Sequence, residues 1–168
     1  MQQTNRLPQK LPKTSFSSAV KQLYLLALLS LGDSAAAEQT VWEALLYTAQ
    51  RFPGNPDSER FFAAAVKQLY RNIKKAAKKT VYQFCLSDCI GFGTLSGGTS
   101  CIEVEPIMRL LSQFPFSDRF LLVCCAQRYP VAEIAEIAGM PVWFVRKRLE
   151  RSVRRVSGSL HLIRARNK

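Results

Sequence analysis

Hydrophobic residues recur at helical spacing in three consecutive segments of the first half of the chain. The first segment predicts a helix that begins near residue 15 and ends at Gly32, because glycine favours the left-handed backbone at a helix end. The second predicts a helix with its N-terminal cap at Asp33 or Ser34. A third predicted helix, capped by Ser58, follows the proline- and glycine-rich break before it.

Glycine and serine separate this half from the second. Four of the eight glycines fall between residues 91 and 98, which is typical of a flexible linker. Four short helices are predicted after it, at about 103–113, 117–129, 131–138 and 142–156. We therefore predict an all-α protein of two small helical domains. Its parts are a disordered arm at 1–14, a first domain at 15–80, a linker at 81–102, a second, four-helix domain at 103–157 and a basic tail at 158–168.

The last two predicted helices have the pattern of a helix-turn-helix. Ala135 is small enough to let a second helix cross closely, and Gly139 falls where the turn needs a permissive backbone. Pro141 suits the first turn of the next helix. That helix is predicted to be a recognition helix, whose N-terminal residues enter the major groove of DNA. Its predicted inward residues are Val142, Val145, Leu149 and Val153.

The charge distribution favours an acidic partner. The 168 residues include 24 Lys+Arg and 12 Asp+Glu, which gives a net charge of +12. Residues 61–80 contain six basic residues and no acid, and residues 141–168 contain nine basic residues and one acid. A solvated helix face carries such charge too. Because both blocks lie on predicted helices, two contacts with nucleic acid are the favoured interpretation.

Catalytic and metal-binding residues are scarce. The only histidine is His161, and no nucleophile–base pair or glycine-rich phosphate loop is evident. Cys85, Cys89 and Cys101 have no fourth zinc ligand near them, and Cys124 and Cys125 lie in an apolar run typical of a core. We predict no metal, no cofactor and no enzymatic activity. No apolar stretch reaches the roughly 18–20 residues of a membrane helix, so a cytoplasmic protein without membrane insertion is expected.

Three segments of the second half, Phe114–Val123, Val131–Gly139 and Val145–Ser152, resemble the fourth domain of bacterial sigma factors, the promoter-recognition subunits of RNA polymerase. The similar group is the small two-domain, extracytoplasmic-function type. In the first half, Leu23–Glu43 resembles the polymerase-binding segment of that family, and Leu69–Ile73 resembles its promoter-facing helix. The resemblance implies a transcription initiation factor that binds core RNA polymerase and directs it to promoter DNA.

The resemblance also implies which residues act. Four residues of the first domain are expected to dock on core polymerase: Asp33, Glu38, Trp42 and Glu43. The third helix is expected to meet the minus-ten element through Lys67, Arg71, Asn72, Lys74, Lys75, Lys78 and Lys79. The recognition helix is expected to meet the minus-thirty-five element through Trp143, Phe144, Arg146, Lys147, Arg148, Arg151, Arg154 and Arg155. Core polymerase and double-stranded promoter DNA are thus the implied partners, with an anti-sigma factor as an open third.

The chain departs from the family pattern at Trp42, at Ala65 and at the pair Trp143–Phe144. The departures at Trp42 and Ala65 keep a second interpretation open, a degenerate sigma-like interaction protein that binds polymerase or a regulator but no promoter. A third is a stand-alone helix-turn-helix regulator. Such regulators usually dimerise on two half-sites, and the sequence shows no dimerisation helix. A general basic RNA-binding protein is a fourth, without an aromatic RNA-stacking motif to support it.

Overall fold

The computed structural model describes residues 16–53, 58–78 and 101–166, and describes side chains at 16–53, 58–78 and 107–158. These residues form helices and no strands, so the predicted all-α class is confirmed for them. The first three helices are α1 (Phe16–Leu31), α2 (Ser34–Arg51) and α3 (Glu59–Ala76). The next four are α4 (Cys101–Ser112), α5 (Phe116–Ala126), α6 (Val131–Ala138) and α7 (Val142–Arg166).

Local hydrogen bonding explains where the first helices begin and end. Gly32 ends α1 with φ of 73°, a left-handed conformation in which glycine has no steric penalty. Asp33 then caps α2, because its carboxylate accepts a hydrogen bond of 2.9 Å from the backbone N–H of Ala36. Ser58 caps α3 in the same way, accepting from the N–H of Phe61 at 3.2 Å. All three sequence predictions are confirmed.

Helix α1 lies at the centre of the fold. It packs against α2 and α3 of the predicted first domain and against α4 and α5 of the predicted second. Leu23, Leu26 and Leu31 are almost completely buried in these contacts. Burying one such side chain stabilises a fold by roughly 1.5–3 kcal/mol, so α1 contributes to both sets of helices.

An aromatic cluster joins α3 to α5. The ring centroid of Tyr70 lies 4.6 Å from that of Phe120 and 6.1 Å from that of Phe116. The cluster is part of one continuous set of buried apolar residues that runs from α1 to α7. The predicted arm at 1–14 and almost all of the predicted linker at 81–102 lie outside the described residues, so the division into two domains stays a prediction.

Helix α7 is the last helix of the second set and packs on α5 and α6. It was expected to end near residue 156, but it continues to Arg166, through residues predicted to form a basic tail. Helix α4 begins at Cys101, two residues before its predicted start. The structure therefore lengthens the second helical set at both ends.

Candidate nucleic-acid interface

A tight turn joins α6 to α7. Gly139 adopts φ of 63°, and its N–H donates to the carbonyl of Glu136 at 3.3 Å. The N–H of Met140 donates to the carbonyl of Ala135 at 3.0 Å, which completes the pair of bonds of a Schellman motif. A Cβ at Gly139 would meet no atom within 4 Å. Glycine is favoured here by its backbone conformation and not by lack of space.

The turn directs α7 so that a narrow stripe faces the body. Val145, Leu149 and Ser152 are buried, at steps of three and four residues. Val142 and Val153, predicted to face inward, are 43% and 48% exposed, so those two predictions were wrong. At 100° per residue, both lie roughly 50–70° from the centre of the buried stripe, where α5 and α6 no longer cover them.

Most basic residues of α7 lie on its solvent side. Arg146, Lys147, Arg151, Arg154 and Arg155 are all exposed, and we call them the α7 cationic face. Four of them, with Glu150, surround one shallow depression along the helix. Within the described residues, Arg146, Lys147, Arg151 and Arg154 make no ion pair closer than 4.0 Å. Arg146, Lys147, Arg151 and Arg154 are thus available to phosphates of a bound polymer.

Arg148 differs from these residues. Its Nε donates to Oδ1 of Asp118 at 2.7 Å, and its Nη2 donates to Oγ of Ser117 at 2.8 Å. The Arg148 and Asp118 side chains are only 22% and 14% exposed. The guanidinium of Arg148, which is expected to contact DNA, therefore joins α7 to α5 in this structure.

Two aromatic residues occupy the first turn of α7. Trp143 is 67% exposed, and its ring meets the Phe144 ring edge to face, with centroids 5.7 Å apart at 82°. The guanidinium carbon of Arg148 lies 5.6 Å from the centroid of the Phe144 ring. Ion pair and rings thus form a continuous series of contacts from Asp118 to Trp143.

The basic residues of α3 and of the turn after it lie in three places. Arg60 is exposed in the first turn of the helix. Arg71, Lys74, Lys75 and Lys78 are exposed near the end of the helix, where lysines also favour the helix dipole. Lys67 instead forms an ion pair of 2.5 Å with Glu136 of α6. Lys79 lies outside the described residues.

Asn72, which is expected to contact DNA, has a buried side chain in the structure. Its side chain is buried against α2, where its Nδ2 donates to the carbonyl of Thr40 at 3.3 Å and its Oδ1 accepts from Gln68 at 3.0 Å. The local sequence around an asparagine does not show whether its side chain is exposed or joins two helices. Asn72 is a packing residue in this arrangement.

Helix α2 has its large apolar residues on the outside. Its buried positions are small or polar: Ala37, Thr40, Val41, Ala44 and Thr48. Trp42 is 64% exposed, and Leu46 and Tyr47 are exposed as well. Glu38 and Glu43 are exposed on either side of Trp42 around the helix. Asp33, predicted to dock with them, uses its carboxylate to cap α2.

The outer side of α2 forms one wall of an apolar groove of about 330 Å³, which we call the α2 groove. Phe16 of α1, Phe61 of α3 and Phe52 complete it, together with Trp42, Leu45 and Leu46. An exposed apolar surface with a charged border is typical of a protein-binding site. Among the residues predicted to dock, only Trp42 lines the groove itself.

Burial perturbs several titratable groups near α6, among them Glu133 and Cys124. It raises the pKa of Glu133, and repulsion from Glu136 raises it further. Burial also raises the pKa of the Cys124 thiol well above its usual range, so Cys124 is a protonated core residue. Cys125, predicted to be in the core with it, is exposed.

Sequence reasoning missed the residues that support the interface. Asp118 and Ser117 are 30 and 31 residues from Arg148, and no local pattern connects them. The α2 groove did have a signal. Trp42, Leu46 and Ala49 fall on the side opposite the stripe that begins at Ala37, and that stripe has only small or polar residues besides Val41.

Within the described part of the chain, no helix is both long and apolar enough to cross a membrane. Comparisons with protein-family models, curated proteins and solved structures found no match to this chain.

Proposed function

We propose that this protein is a sigma-like transcription initiation factor that binds core RNA polymerase and directs it to promoter DNA. The observation that carries the proposal is α7. It follows a tight left-handed turn at Gly139, buries only a narrow stripe, and leaves the α7 cationic face in solvent. A helix of this kind after a short helix and turn is the usual reader of a major groove.

The α2 groove supports the polymerase part of the proposal. Glu38 and Glu43 lie beside Trp42 and Leu46, so the surface combines carboxylates with large exposed apolar side chains. A partner with apolar residues bordered by lysines or arginines would complement it. A partner that docks on α2 would leave α7, a different helix, exposed to DNA.

The proposal requires α1–α3 and α4–α7 to separate on the polymerase. Minus-ten and minus-thirty-five elements are about 25 base pairs apart, or roughly 85 Å at about 3.4 Å per base pair. A compact chain of 168 residues has a radius of gyration of about 15 Å and a diameter of roughly 40 Å. The closed arrangement in which Tyr70 meets Phe120 is too short to reach both elements.

Co-purification with bacterial core RNA polymerase tests the proposal. We expect the parent chain to retain the core subunits, and the double variant Glu38→Lys/Glu43→Lys to lose most of them. Glu59→Lys/Glu150→Lys is the matched control, because it changes the net charge equally at exposed acids of α3 and α7. If neither the parent nor the control retains polymerase, the polymerase part of the proposal is refuted.

The second candidate is an interaction protein of sigma-like fold that does not use a promoter. The continuous core across both helical sets favours it, since nothing in the closed arrangement requires two separated DNA contacts. It predicts polymerase retention without preference for any DNA sequence. A selection from a random duplex library by the polymerase-bound chain decides between the two candidates.

A further inference from the structure

We propose that Trp143 recognises the C5-methyl group of thymine in the major groove, with Phe144 and Arg148 as its positioning residues. This inference rests on the proposed DNA-binding role of α7 and adds the chemical group that α7 reads. It assigns a specificity role to a position where the family that the chain resembles has a different residue pair.

The position of Trp143 on α7 places it in line with the cations. Trp143, Lys147, Glu150 and Arg154 succeed one another at steps of four, three and four residues, so they share one side of the helix. That side is opposite the buried stripe of Val145 and Leu149. A polymer whose phosphates meet Lys147 and Arg154 would therefore meet the indole of Trp143 one turn nearer the helix N-terminus.

The chemistry of the groove then selects the contact. Base edges in the major groove present hydrogen-bond donors and acceptors and a single kind of apolar group, the thymine methyl. An indole that is 67% exposed offers a large apolar surface with one N–H donor. Its best complement among the groups in the groove is that methyl.

The surrounding contacts fix the orientation of the indole. The Phe144 ring meets it edge to face at 5.7 Å, and the Arg148 guanidinium lies 5.6 Å from the centre of that ring on α7. Arg148 is itself held by Asp118 and Ser117 of α5 at 2.7 and 2.8 Å. A side chain restrained in this way loses less conformational entropy on binding than a freely rotating one.

Two pairs of short duplexes that differ only in the methyl group test the proposal. One pair is alternating dA–dT against dA–dU, and the other is alternating dG–5-methyl-dC against dG–dC. Binding of the full chain is measured at roughly 50 mM salt, where phosphate contacts are strong. We expect the parent to bind the methylated member of each pair about fourfold more tightly for each methyl buried.

The variants separate methyl recognition from general affinity. Trp143→Gln is expected to remove the preference in both pairs, and Arg148→Lys to reduce it without unfolding the chain. The control Arg154→Ala should weaken binding to all four duplexes and leave the ratio intact. Equal binding of both members by the parent overturns the inference, as does failure to bind any duplex, while polymerase retention decides the proposed function separately.

Discussion

Helices α3 and α7 both carry a basic block, yet the fold uses them differently. Helix α3 buries Phe61, Ala65, Leu69 and Ile73 among its core positions. Most of its exposed cations lie near its end, and Lys67 pairs with Glu136. Helix α7 buries a narrow stripe and exposes cations over successive turns. Net charge alone thus does not distinguish a helix that holds a fold together from one that is open to a polymer.

The difference lies in what each basic residue contacts. Lys67 on α3 and Arg148 on α7 are both bound by carboxylates of a neighbouring helix, at 2.5 and 2.7 Å. The exposed pair with Lys67 stabilises the fold by at most about 1 kcal/mol. The Arg148 side chain is less exposed than that of Lys67, and its two hydrogen bonds hold it in one orientation. Arg148 therefore positions its neighbours on α7. Arg146, Lys147, Arg151 and Arg154 of α7 are exposed and can contact an external partner.

The largest expected effect concerns the buried core that connects α3 to α7 through α5. Phe120 is completely buried and meets Tyr70 of α3 from α5, the helix on which α7 packs. Phe120→Ala should lower the free energy of unfolding by about 3–5 kcal/mol, and Phe120→Leu by less. Hydrogen exchange should show loss of protection in α3 and in α7 together.

A surface change on the same helical set is the control for that experiment. Val153→Ala removes apolar atoms at an exposed position of α7 and should change stability by no more than about 0.5 kcal/mol. If Phe120→Leu leaves α1–α3 as protected as in the parent while α5–α7 open, the two helical sets unfold independently. The shared core would then be a contact between domains and not one cooperative unit.

The next effect compares the two basic blocks directly. In duplex binding without polymerase, Arg151→Ala/Arg154→Ala should reduce the slope of log affinity against log salt by about 1.8, or roughly 0.9 for each lost phosphate contact. The matched variant Lys74→Ala/Lys75→Ala removes the same charge from α3. We expect it to change the slope little and to cost about 0.3–1 kcal/mol of stability for each lysine lost from the helix end. Equal loss of slope in both variants would remove the distinction between α3 and α7.

The sequence was sufficient to predict the helix ends and turns that depend on hydrogen bonds between nearby residues. The ends of α1, α2 and α3 follow from Gly32, Asp33 and Ser58, whose hydrogen bonds involve residues within four positions of one another. The turn at Gly139 follows from the same kind of local signal. The length of α7 and the contacts of Asn72 do not, because they depend on which surface another helix covers.

The candidate interface was predictable in outline only. A basic face on α7 follows from helical periodicity, but the removal of Arg148 from it depends on Asp118, 30 residues away. The apolar outer side of α2 was visible as a stripe of large residues around Trp42. That this stripe is the outer side of α2 follows only from the structure, in which Ala37 and Ala44 face the core. Distant pairs and the choice between two possible buried faces are tertiary properties.

The smallest expected effect concerns α6, which contacts both basic helices. The pKa of Glu133 is raised by burial and by Glu136, so its carboxylate destabilises the folded state wherever it is ionised. Glu133→Gln should therefore raise the Tm slightly at pH 7. The penalty is fully present above the raised folded pKa and is lost as the pH falls below the ordinary carboxyl value of 4.5, so the gain should vanish there. Glu150→Gln, an exposed acid on α7, is the control and should leave the Tm unchanged at both pH values. If the gain in Tm for Glu133→Gln persists in acid, the amide packs better on α6 than the protonated acid does. The charge of Glu133 would then not affect how α6 supports α3 and α7.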